Sequence, residues 1–165
     1  GGRLELLLPY ATLEPVRELL LQMFMGEKFG RDSIWETHLA EELWMIEVDL
    51  EAWQVQRIFD TGAGPYNLAV TPDESTLVAT YKGDNAVGIW DLVGGKERAR
   101  IETSRTIPHG VTVTPDGVYA FVTLEGVGSD PGTVEVYDLV TAQRVATVDI
   151  GKQAGGIAFW KVEGS

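Results

Sequence analysis

His38, Glu41 and Glu42 stand at three- and four-residue steps, the spacing that gathers side chains on one helical face. A zinc ion needs three or four converging ligands, and this trio on a single helix supplies few. His38 is therefore read as a solvated or hydrogen-bonded histidine. Tyr66, Asn67 and His109 stand where loops run into strands, and loop positions carry contact residues more often than core positions do. These three are the candidates for touching a partner. Gly126-Val127-Gly128 resembles a phosphate loop in composition only. It opens no helix, so the aligned amides that hold phosphate are missing. Asp91 and Asp138 each follow an aromatic residue, and Asp in that place commonly accepts turn amides. Ser33, Ser75, Ser104 and Ser129 lack the strand–turn–helix context of a nucleophile elbow. With no Cys in the chain there is no thiol nucleophile, disulfide or Cys-based zinc site. No catalytic, metal-binding or cofactor-binding residue is assigned, and no cofactor is expected.

The elements that must position these residues repeat. Val70-Thr71-Pro72-Asp73 returns 43 residues later as Val113-Thr114-Pro115-Asp116, with Pro65 and Pro108 at matching offsets. Trp90-Asp91-Leu92-Val93 returns as Tyr137-Asp138-Leu139-Val140 after a slightly longer interval, which places an insertion in the Gly126–Gly132 loop. A period in the forties with several short strands per unit predicts propeller blades. Strands are expected at 54–60, 66–71, 77–81, 87–92 and 98–102. The next unit begins at Val111 and keeps the order, with further strands expected at 119–124, 134–139 and 144–149. A third unit begins at Gly155-Gly156-Ile157-Ala158-Phe159, giving about two and a quarter blades and an unclosed ring.

The first 52 residues read differently. Arg3 to Tyr10 alternates like a strand. Thr12 caps a helix that carries Leu13, Val16, Leu20, Met23 and Phe24 on one stripe and ends at Gly26. Ser33 and Glu36 form a capping box for a second helix, and Met45 to Trp53 alternates as a second strand. The expected fold class is therefore mixed. A partial α/β segment (strand, helix, helix, strand; 1–52) precedes all-β propeller-like blades (53–165).

Composition limits the functions available. The chain has 165 residues, 44% of them hydrophobic, and a formal net charge of −12. That charge is a poor match for nucleic acid, which calls for clustered Lys and Arg. No apolar run approaches the roughly 18 residues needed to span a bilayer. The five Trp are read as packing residues. The start at Gly1-Gly2-Arg3 shows no initiator Met or signal peptide and suggests a piece of a longer protein.

Two resemblances follow from particular stretches. Leu77-Val78-Ala79-Thr80-Tyr81-Lys82-Gly83-Asp84-Asn85 and Phe121-Val122-Thr123-Leu124 make residues 53–165 similar to the YVTN-type β-propeller repeat proteins. Leu8-Pro9-Tyr10-Ala11-Thr12-Leu13-Glu14-Pro15-Val16-Arg17 and Gly26-Glu27-Lys28-Phe29-Gly30-Arg31-Asp32-Ser33-Ile34-Trp35-Glu36 resemble the middle, CheC-like domain of the flagellar motor switch protein FliM family. His38-Leu39 and Val48-Asp49-Leu50 continue in register. The family's glycine-rich contact loop and the Asn-containing phosphatase signature of the wider CheC group are missing. The first resemblance implies an extracytoplasmic setting, the second a cytoplasmic one at the flagellar basal body. Their meeting between Asp49 and Trp53 implies a fragment fusion.

The function expected is a non-enzymatic protein-interaction or structural module. Its partners would be flagellar switch components, or further copies meeting through open blade edges. One alternative is an extracytoplasmic binding propeller or lactonase-like enzyme, should further chain or copies complete the ring. The other is a truncated flagellar rotor component acting in motility and chemotaxis. A blade without a neighbour leaves apolar surface bare, forgoing on the order of 10 kcal/mol at roughly 25 cal/mol per Å². A solitary monomer is therefore not expected.

Overall fold

The computed structural model describes residues 44–161, all within the second of two compact units, His38–Ser165. Ten strands follow one another: β1 (Trp44–Asp49), β2 (Gln54–Asp60), β3 (Pro65–Val70), β4 (Thr76–Tyr81), β5 (Ala86–Asp91), β6 (Lys96–Glu102), β7 (Pro108–Val113), β8 (Tyr119–Leu124), β9 (Gly132–Asp138) and β10 (Gln143–Ile150). They form a β1–β2 hairpin, a middle sheet ordered β3-β4-β5-β6 and a last sheet ordered β7-β8-β9-β10. Every neighbouring pair is antiparallel. Sequential antiparallel pairing is what short turns between alternating strands impose.

The expected mixed class is corrected by this result. The described residues are all-β, with ten strands in three sheets and no helix among them. The strand expected at 3–10 and the helices expected from Thr12 and Ser33 lie outside the described residues. The second strand of the expected α/β segment forms as β1, but it pairs with β2 and so belongs to the β arrangement. The cause is local. Asp49 closes β1 with a tight turn, leaving β2 as its nearest available ladder partner.

Turn chemistry recurs with the sequence repeat. Thr71 Oγ1 donates to Asp73 Oδ1 at 2.6 Å and accepts the Thr76 amide at 3.0 Å. Thr114 Oγ1 donates to Asp116 Oδ1 at 2.5 Å and accepts the Tyr119 amide at 3.0 Å. Each Thr-Pro-Asp group thus fastens the first strand of its sheet to the second, satisfying turn amides that would otherwise lack partners.

A second turn recurs three times. Asp138 Oδ1 accepts the amides of Val140 and Thr141 at 2.8 and 2.9 Å. Asp91 Oδ1 accepts the Gly94 amide at 3.0 Å. Asp49 Oδ1 accepts the amides of Glu51 and Ala52 at 2.8 and 2.9 Å. Each turn ends on a left-handed residue: Trp53 (φ 52), Gly95 (φ 64) and Ala142 (φ 53). Each is followed by a bulge at the same step. Gln56 is skipped between the pairs Val48–Val55 and Glu47–Arg57. Arg98 is skipped between Trp90–Glu97 and Ile89–Ala99, and Val145 between Tyr137–Arg144 and Val136–Ala146. The β1–β2 hairpin is therefore a third copy of the hairpins β5–β6 and β9–β10.

The core lies between successive copies. Val78, Val87 and Ile89 of the middle sheet pack on Ala120, Val122 and Leu124 of the last, with Tyr137 and Leu139 beside them. On the other face of the middle sheet, Leu77, Ala79, Tyr81 and Trp90 cluster with Phe59 of β2 and Met45 of β1. Phe59 meets Trp90 edge-on at 5.8 Å, a favoured aromatic geometry. With both faces covered, β4 is buried along its whole length. Arginines from adjacent rather than matching places tie the layers through the matching carbonyls of Leu92 and Leu139. Arg57 of β2 donates to the Leu92 carbonyl at 2.8 Å, and Arg98 of β6 donates to the Leu139 carbonyl.

Candidate functional site

Tyr66 and His109 occupy matching places near the starts of β3 and β7, 43 residues apart. The packing of β7 along β3 brings them together. Tyr66 Oη lies 3.1 Å from His109 Nε2, and their rings meet edge-on at 4.6 Å. A second repeat-related pair joins them. Lys82 follows β4 and Glu125 follows β8, and Lys82 Nζ is 3.3 Å from Glu125 Oε1. The ammonium also sits 3.6 Å from the centre of the Tyr66 ring, a cation–π contact. Glu125 Oε1 is 3.3 Å from His109 Nε2. The four side chains form one half-exposed cluster shared between two sheets.

Its chemistry is that of a hydrogen-bonded Tyr–His pair beside a Lys–Glu ion pair. A proton on His109 Nε2 suits both the Tyr66 and Glu125 oxygens. Nδ1 is then a buried acceptor that meets no partner among the described residues. Ion pairs this exposed contribute about 0–1 kcal/mol each, so the cluster adds little to stability. The middle and last sheets use the same backbone latch beside it. Thr80 Oγ1 donates to the His109 carbonyl at 3.1 Å, and Thr123 Oγ1 donates to the Gly155 carbonyl. Gly155 thus holds the next place in the row of Tyr66 and His109. Residues 151–161 follow the last sheet without forming a strand of their own.

Of the three residues singled out from sequence, the structure joins Tyr66 and His109 and leaves Asn67 outside. The Asn67 amide donates to Thr80 Oγ1 at 3.1 Å, and its Oδ1 accepts the Leu68 amide at 2.8 Å. Asn67 instead lines a shallow depression of about 270 Å³ with Trp44, Ile46, Pro65, Tyr66 and Leu68. A neighbouring apolar groove of about 250 Å³ runs between Met45, Phe59, Leu68, Val70, Leu77 and Trp90. Sequence reasoning missed Lys82 and Glu125. The signal was present, because they obey the same 43-residue interval as Tyr66 and His109. His38 lies outside the described residues. Gly126 and Gly128 take left-handed conformations in a loop. Among the described residues, no three His, Asp or Glu side chains gather as a metal site.

Stacked four-stranded antiparallel sheets carrying one polar residue per sheet along a shared row define a sheet-repeat protein. The chain is similar in fold to the hydrazine synthase of Kuenenia stuttgartiensis, with a TM-score of 0.63 and 26% identity, covering 68% of this chain and 32% of that one. The chain also carries a FliM-like segment. It is 71% identical over 52 residues to the flagellar motor switch protein FliM of Caulobacter vibrioides, in two strains. That match covers 32% of this chain and 14% of the relative, so the chain spans a small part of the curated relatives it matches. No protein-family model matches the chain.

Proposed function

We propose that the chain is a non-enzymatic interaction or structural module that joins a flagellar motor switch-like segment to consecutive units of YVTN-type propeller character. The observation that carries this reading is the 71% identity over 52 residues to a flagellar motor switch protein. Its partners are then components of the flagellar switch, and its setting is motility and chemotaxis. The propeller character draws on the two four-stranded sheets at the repeat interval and on the repeated turns and latches. The resemblances meet near Ala52, inside the β1–β2 hairpin. The two sequence parts therefore meet within one sheet, in a single hairpin.

The Tyr66–His109–Lys82–Glu125 cluster and the depression beside it are proposed as contact surface. Docking through exposed polar rims and apolar grooves is the ordinary mode of protein recognition. The test is a pull-down of purified flagellar switch proteins by the full chain at micromolar concentration. Retention that weakens when Lys82 and Glu125 are both replaced by Ala is the expected result. No retention of any switch protein would remove the flagellar reading.

A further inference from the structure

The repeat relates every position of the β1–β2 hairpin to one in β5–β6 and one in β9–β10, so each position can be compared in three settings. Trp44, Ile46 and Val48 correspond to Ala86, Gly88 and Trp90, and to Thr133, Glu135 and Tyr137. In the middle and last sheets these positions are buried against the preceding layer. In β1 they are bare, at 49%, 46% and 37% exposed. At the other end the pattern reverses. Phe59 and Ile101 hold matching places and pack into the following layer. Their counterpart Val148 is 55% exposed. Among the described residues, two apolar faces of opposite kind are therefore left unmatched. One is the face that covers a preceding sheet, and the other is the face that receives a following one.

Inside the chain these two kinds of face already pack on each other, where the last sheet covers the middle one. The interior contact is the template for an exterior one. We infer that the chain associates head to tail with a second copy of itself, the β1 face of Trp44, Ile46 and Val48 in one copy covering the β8–β10 face of the next. The occupant is a second copy because the two faces are repeat images of surfaces that fit within one copy. The contact is heterologous, so each copy keeps one free face and assembly continues until a ring closes or a filament grows. A net charge of −12 per chain opposes it at low ionic strength, so added salt should strengthen association by screening that repulsion. This rests on the reading of the chain as an interaction module and names one of its partners. Capture of switch proteins reports on that reading alone, and self-association on this one.

The experiment is sedimentation velocity on the full chain over about a hundredfold concentration range, at low and moderate salt. Mass should rise with concentration, more steeply with salt. Ile46→Lys and Val148→Lys each spoil one face while lowering the net negative charge, and each should weaken association at least about tenfold. An equimolar mixture of the two variants should form dimers and stop there, since only one intact face remains on each copy. Trp44→Lys and Ala146→Lys test the same faces should either first variant melt early. A monomer mass independent of concentration would overturn the inference. So would a mixture of the two variants that forms no dimer, or single variants that still associate like the parent.

Discussion

Asp49 and Asp138 hold the same turn in different sheets. Each Oδ1 accepts two successive turn amides, and the turn ends at Trp53 in one and Ala142 in the other, with φ 52 and 53. The equivalent residue in the middle sheet is Gly95, at φ 64. A side chain in the left-handed region costs about 1–2 kcal/mol, partly offset by the greater chain entropy glycine loses on folding. Ala142→Gly should therefore raise stability by about 0.5–1 kcal/mol, and Gly95→Ala should lower it by a similar amount. Urea unfolding with an unchanged slope would measure both.

The carboxylates of these turns make stability depend on acid. Backbone amides of Ala52 and Thr141 hold the Asp49 and Asp138 carboxyls below their ordinary pKa. The Thr71 and Thr114 hydroxyls do the same for Asp73 and Asp116. A group whose folded pKa is depressed favours folding above its unfolded value and loses that contribution as pH falls through the folded one. Urea midpoints should therefore hold steady down to about pH 5 and decline below about pH 4. Asp138→Asn keeps an oxygen acceptor but cannot titrate, so its decline should be shallower than the parent's.

Glu135 is the one fully buried acid among the described residues. Its Oε1 accepts from the Ser104 amide at 2.9 Å and from Arg144 at 2.8 Å, and its Oε2 accepts from the Tyr137 hydroxyl. Burial, with help from that bond, pushes the Tyr137 hydroxyl well above the usual phenol range. Glu135→Ala strands an amide, a hydroxyl and half an ion pair, at a cost of about 3 kcal/mol. Glu135→Gln, which keeps the acceptor oxygen, should cost less. Denaturant midpoints of the two variants would rank them.

Gly88 stands where Tyr81 needs space. A Cβ there would lie 2.2 Å from the Tyr81 hydroxyl oxygen. That hydroxyl accepts from Trp90 Nε1 at 2.7 Å and donates to Glu97 Oε1 at 3.0 Å. Gly88→Ala should lower stability by about 1–3 kcal/mol through overpacking. It should also shift Trp90 fluorescence, since the indole loses its partner. A silent variant would mean that Tyr81 has another place to go.

The strands and turns of the middle and last sheets were legible because Thr-Pro-Asp and aromatic-Asp-Leu fix turn geometry locally. Of the hairpin before them, β2 was legible as a leading outer strand, but β1 was assigned to the preceding α/β segment. Val48 stands before Asp49 where Trp90 and Tyr137 precede Asp91 and Asp138, so the aromatic mark was absent although the Asp-Leu turn was intact. Alternation alone could not say which strand β1 would pair with. The polar cluster was half legible. Tyr66 and His109 lie where loops become strands. Lys82 and Glu125 each follow the end of a strand and look like ordinary solvated charges until packing of β7 along β3 brings all four together.

The bulges at Gln56, Arg98 and Val145 each put one more residue on the outer strand than its neighbour can match. Elsewhere in a ladder, losing a single codon would turn every later side chain over to the wrong side. At these three places the surplus residue could be dropped and the strand would fall back into step. Length variation of one residue among descendants of this gene should therefore gather at these kinks and be scarce along the rest of the outer strands.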